Sequence, residues 1–241
     1  MRSNPAINAR QSAWALALLT SLVLLLAPSA DASALSPYTA QYSARINGMA
    51  VTITNALRAT PEGYRVSTSA TNLLGEIKEH EDFHLADDRI VVDAYRHQRS
   101  LLGSSRLEKL IMDPAHGIAH YQRNDKTREI PLEPDVLGPL SYQVQLRRDL
   151  ADGHSAFDYQ VLHRGRIKSY RFEAEGTEAV ALPQGPVEAI RIRRVHDDND
   201  RETIVWLAPD LDYQLVRLRL VEDGDRYELQ LSDLEAPGAA P

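Results

Sequence analysis

"GEIKEHEDFHLADDRIVVDAYRHQR", residues 75–99, decides between two folds. His80, Glu81 and His84 satisfy H-E-x-x-H, which on a helix sets two zinc ligands and a general base on one face. A helix from Gly75 to Leu85, however, has only Ile77, Phe83 and Leu85 as apolar anchors, scattered around its surface. Read with a period of two, those three residues share a face, Asp87-Asp88 makes a turn, and Ile90, Val92 and Ala94 alternate after it. The stretch therefore predicts an antiparallel hairpin. Residues 80–84 are extended and pair with roughly Ile90 to Gln98, the turn falls at Ala86 to Arg89, and Phe83 and Leu85 are more buried than Asp82 and His84.

On a strand the zinc-peptidase reading fails. At about 3.3 Å per residue, His80 and His84 stand about 13 Å apart, and zinc needs both nitrogens within about 2.1 Å. Glu81 also faces the opposite side. A weaker metal site survives, because His80, Asp82 and His84 share a face and await a ligand from a neighbouring strand. The plainer reading is the solvated polar face of a half-buried sheet.

The same alternation runs through the rest of the chain. "YTAQYSARI" (Tyr38 to Ile46) puts Tyr38, Ala40, Tyr42, Ala44 and Ile46 on one face, and Asn47-Gly48 is a strong hairpin signal. "MAVTITNALR" returns as a second strand, and Pro61-Glu62-Gly63 turns into another from Tyr64 to Ala70. Later strands are expected at Ala156–His163, Arg166–Val180, Val187–His196, Glu202–Leu207, Tyr213–Glu222 and Arg226–Leu231, with turn-like breaks between them. The expected fold is mainly β, a single-domain antiparallel meander curled into a barrel or half-barrel. One segment, Asp135 to Gly153, carries both periods. Pro139 near a start, the spacing of Tyr142, Leu146 and Leu150, and Gly153 as a stop predict one substantial helix near 138–150.

The first 34 residues read as a secretory signal peptide. Arg2 and Arg10 precede the apolar "WALALLTSLVLLLA" (Trp14 to Ala27), and "ADASA" (Ala30 to Ala34) offers small residues for cleavage. The apolar run is shorter than the roughly 20 residues a spanning helix needs. Cleavage before Leu35, or after Ala32, leaves a domain of residues 35–234 and a disordered tail at 235–241. No Cys follows, so no lipid is attached at a new N-terminal Cys, and disulfides and thiolate chemistry are excluded. The expected location is the periplasm, with no membrane span after cleavage. The chain has 27 Lys and Arg against 34 Asp and Glu. Removing Arg2, Arg10 and Asp31 leaves 25 against 33, a net of −8. No long basic run remains, which argues against nucleic acid or an anionic membrane surface as the main partner.

Familiar catalytic equipment is lacking: no G-x-S-x-G elbow, P-loop or G-x-G-x-x-G. No cofactor is implied. "LLGSSR" (Leu101 to Arg106) reads as a loop. Arg191, Arg193 and Arg194 read as a charged outward strand face, with an anion site as the sharper alternative. Three segments together, "YTAQYSARINGMAV", "EHEDFHLADDRIVVDAYRHQR" and "IVWLAPDLDYQLVRLRL" (Ile204 to Leu220), resemble an uncharacterised exported family of proteobacteria, the domain of unknown function three-one-zero-eight. The resemblance implies a periplasmic β protein and assigns no catalytic residue. Three functions fit. The first is a non-catalytic protein that binds a lipid, another apolar ligand or an envelope protein. The second is an assembly factor that adds a partner's strand to its sheet edge. The third is a metal-assisted hydrolase built on His80, Asp82 and His84.

Overall fold

The computed structural model describes residues 34–236 except 47–48, 73–74 and 198–199. The stretch expected to be a signal peptide, up to residue 33, the expected Asn47-Gly48 turn and the last five residues of the expected tail lie outside the described residues.

Fourteen strands form one antiparallel sheet among the described residues. In chain order they are β1 (Tyr38–Ile46), β2 (Met49–Thr60), β3 (Gly63–Asn72), β4 (Gly75–Ala86), β5 (Arg89–Leu101), β6 (Ser104–Asp113), β7 (Ile118–Arg123) and β8 (Lys126–Pro131). Helix α1 (Ser141–Ala151) follows, then β9 (Ala156–His163), β10 (Arg166–Leu182), β11 (Gly185–Val195), β12 (Arg201–Ala208), β13 (Gln214–Glu222) and β14 (Asp225–Glu235). Each strand pairs with its chain neighbour, except that β1 pairs with β14, and the two edges of the sheet are β8 and β9. All the odd-to-even turns therefore fall on one rim, called here the upper rim.

The deciding stretch is a hairpin. β4 and β5 pair from Gly75↔Leu101 to Ala86↔Arg89. Asp87 and Asp88 turn the chain with φ of 48° and 61°, the doubly left-handed geometry of a tight two-residue hairpin loop. Phe83 is buried, whereas Leu85 is half-buried like Asp82 and His84 and packs against the edge of the core. One correction concerns Leu101 to Arg106. Only Leu102 and Gly103 are loop, and Ser104 onward is β6. Two residues suffice to turn a hairpin, so the serines join the ladder at once.

The sheet curls around α1. Side chains or turns of β1, β4, β9, β10 and the β12–β13 turn all contact the helix. The ladder does not close. Instead, the segment after β8 lays Leu137 beside Val161 of β9, with Leu137 N donating to Gln160 O at 2.8 Å and Leu162 N to Leu137 O at 2.9 Å. Arg128 of β8 also donates to the Gly165 carbonyl in the β9–β10 turn.

A second layer lies outside. β10 and β11 run on past Gly176 as a long arm that reaches β13 and β14. Gln184 Nε2 donates to Ser232 O at 2.6 Å, and Trp206 Nε1 donates to Glu178 of the arm. Val180 and Ala189 of the arm and Ile204 and Trp206 of β12 are buried. Both faces of β12 are thus covered.

Candidate functional site

The H-E-x-x-H residues are dispersed over a strand, as the alternation requires. Asp82 receives two hydrogen bonds from Arg65, at 2.6 and 2.9 Å. His84 Nδ1 lies 3.0 Å from Asp93. Among the described residues no group of three or more His, Asp or Glu is placed to hold a metal ion. The neighbouring strands instead engage Asp82 through Arg65 and His84 through Asp93.

Glu81, on the opposite face, is fully buried. Its carboxylate accepts from Leu140 N at 2.9 Å and Ser141 N at 3.2 Å, the unpaired donors at the start of α1. Gly138 makes this approach possible, since a Cβ there would sit 2.3 Å from Glu81 Oε2. Burial pushes the Glu81 carboxyl up to about 7, against the opposing pull of its hydrogen bonds with Ser141 and the two backbone amides. Glu81 is thus a helix cap supplied by a strand, and α1 is fastened to β4.

Other contacts complete the seating of α1. Arg148 donates to Asp88 in the β4–β5 turn, and Arg147 donates to Asp212 O at 2.8 Å. Tyr159 donates to Asp149 at 2.6 Å. Val144, Leu146 and Leu150 are buried. Tyr142 stacks on Phe172 at 6.0 Å and meets Tyr170 edge-on at 5.3 Å. Burial, with Tyr170 alongside, pushes the Tyr142 hydroxyl up to about 12.

Between the helix and the concave face lies a cavity of about 230 Å³. Ile53, Val66, Val205, Leu218 and Leu229 supply apolar walls. Its polar groups are mostly engaged. Tyr38 donates to Asn55 at 2.7 Å, Gln214 to Tyr42 at 2.7 Å, and Tyr95 to Glu79 at 2.8 Å, with His97 Nδ1 at 3.5 Å from Glu79. Arg147 is held by Asp212 and lies 4.7 Å over the Tyr38 ring.

The Nε of Arg147 is nonetheless buried with no hydrogen-bond partner, and Arg194 is less engaged still. Its guanidinium stacks 3.6 Å above the Tyr170 ring, and its Nε is buried with no hydrogen-bond partner. It has no carboxylate partner among the described residues. The outward-face expectation for the three arginines is corrected here. Arg191 and Arg193 do face out, Arg191 pairing with Glu175 and Arg193 with both Glu173 at 2.7 Å and Glu175 at 2.6 Å. Arg194 turns inward with Ile192. Two adjacent strand residues must face opposite ways, so the Arg193-Arg194 pair carried the signal.

An antiparallel sheet wrapped around a helix, its edges nearly meeting, defines a β-barrel-like protein. A solved structure shares that architecture: the β-barrel-like protein of domain of unknown function DUF1849 from Brucella abortus. It is 10% identical, covers 86% of this chain and 100% of its own, and superposes with a TM-score of 0.58. At that identity the likeness is one of fold. No curated protein matches. Residues 38–231 match the family described as protein of unknown function, DUF3108, and the chain belongs to that family.

Proposed function

We infer that the protein binds a slim amphiphile without catalysing a reaction, with the apolar chain in the cavity and an acidic head group on Arg194. The half-buried guanidinium of Arg194, without a carboxylate partner in a pocket whose other charged groups, Arg147 and Glu79, are already engaged, carries this reading. A buried cation without a counter-charge is costly, and an incoming carboxylate or phosphate removes that cost. The cavity is smaller than the roughly 300–1,000 Å³ typical for drug-sized ligands. It therefore suits one acyl chain better than a fused ring system. Glu79, the acidic group in the lining, is already bonded to Tyr95. An exported setting rests on the N-terminal sequence alone and agrees with a protein that handles envelope amphiphiles.

Thermal unfolding with a matched pair of ligands tests this. A fatty acid at a hundred times its Kd stabilises by about 2.7 kcal/mol, roughly 5–10 °C for a domain of this size. Its methyl ester, which lacks the anion, is expected to shift Tm far less. Arg194→Leu should erase the difference between acid and ester. Equal shifts from both ligands in the unaltered protein would refute the role of Arg194, and no shift from either would refute the pocket.

A further inference from the structure

No basic run exists in the sequence, yet the fold assembles one in space. At the upper rim, a cleft of about 800 Å³ lies over the seam where β8 and β9 come side by side. Arg106 comes from β6, Arg123 and Lys126 from the β7–β8 hairpin, and Arg164, Arg166 and Lys168 from the β9–β10 hairpin. With Arg128 the cleft holds seven Lys and Arg, against one acidic residue, Asp125. Seven less one gives +6, on a chain whose formal net charge is −7.

Much of this charge is unanswered. Arg123 has Glu108 at 3.4 Å, and Arg128 has the Gly165 carbonyl. Arg106, Lys126, Arg164, Arg166 and Lys168 are exposed and have no ion-pair or side-chain hydrogen-bond partner among the described residues. Arg65 and Arg193, on other strands, are by contrast matched to carboxylates.

The same rim is apolar at its tips. Leu102, in the turn that leads to Arg106, is 77% exposed. Met49 and Ile77 stand at or near the tips of the neighbouring β1–β2 and β3–β4 hairpins and are also exposed. Three of the four exposed large hydrophobics among the described residues thus share the end that carries the basic cleft.

We propose that the upper rim docks on an anionic phospholipid surface, with lipid phosphates in the basic cleft and Leu102 and Met49 entering the interface. Clustered cations beside exposed apolar side chains combine the two forces that hold peripheral proteins to anionic membranes. Nucleic acid fits less well. Tyr121, the aromatic ring in the cleft, is buried beneath Arg128 at 5.4 Å, so no platform is left for base stacking. The proposal stands independently of the interior pocket.

Vesicle co-sedimentation of the purified protein tests it, comparing phosphatidylglycerol–phosphatidylcholine vesicles with phosphatidylcholine alone. Binding should require the anionic lipid and weaken as salt is added. The triple variant Arg164→Gln, Arg166→Gln, Lys168→Gln should lose about a hundredfold in partition coefficient. Leu102→Asn should lose severalfold without altering the far-UV spectrum. Equal partition onto both vesicle types, or no response to the triple variant, would overturn the proposal. So would calorimetric binding of pyrophosphate by a protein that ignores both vesicles, which would mark a site for free anions.

Discussion

The Glu81 carboxyl sits without solvent contact against two backbone amides at the start of α1. Replacing it with Ala leaves those amides buried and unpaired, which should cost about 2–4 kcal/mol. The pH dependence has a definite sign. The ordinary carboxyl value is 4.5 and the folded value is about 7. Between them the folded protein keeps a proton that the unfolded chain has released, so stability falls as pH rises through that window. Denaturant unfolding across it should show this decline in the natural protein and a flatter profile in Glu81→Gln. Neighbouring residues differ sharply. Phe83→Ala should cost about 3–5 kcal/mol, whereas His80→Ala should stay within about 0.5 kcal/mol. The two faces of "HEDFH" were legible from alternation alone. That Glu81 would meet a helix start 59 residues away was not, because nothing local marks a long-range cap.

Helix α1 and the β10–β11 arm are the two elements that turn a sheet into a container. The helix was legible from its ends. Pro139 and Gly153 bracket it, and the structure starts it at Ser141 with Leu140 as its N-cap. Gly138→Ala would drive a methyl into the Glu81 carboxylate. It should unseat the first turn of α1, seen as faster amide exchange at Val144 and Leu146, while sheet amides keep their protection. The arm was only half legible. Arg166 to Val180 alternates as a strand, but alternation does not say what a strand covers. The hint lay in "IVWLA" (Ile204 to Ala208), an unbroken apolar run that marks a strand buried on both faces. Val180→Asp should loosen the arm from Trp206 and shift its fluorescence to longer wavelength, with the far-UV spectrum unchanged. Strand addition at the sheet edge gains little from this architecture. Leu137 already occupies the C-terminal half of β9, at Gln160 and Leu162, and β8 is six residues long and ends in Pro131.

Across the whole molecule, charge and apolar surface are sorted by position along the barrel-like wall. α1 packs in the lower half, the cavity lies between it and the concave wall, and Arg194 stands near the upper rim, opposite Thr203 at the start of β12. The basic cleft and the exposed tips lie on that same rim. Composition suggested a mildly acidic protein with no basic region, and that inference missed the cleft. Its cations are spread from residue 106 to 168, and only the near-meeting of the two sheet edges gathers them. The fold class was legible because a period of two survives in almost every segment. The site was not, because an unpaired cation is a property of the assembled neighbourhood. The central claim, that the cavity holds the chain of an acidic amphiphile, is tested most directly by native mass spectrometry of the protein purified from its own cells under non-denaturing conditions. The account predicts a bound species with the mass of an acidic lipid, released on denaturation and lost when Val205→Phe fills the cavity. A spectrum showing only the bare polypeptide, together with unchanged stability on adding fatty acid, would contradict it.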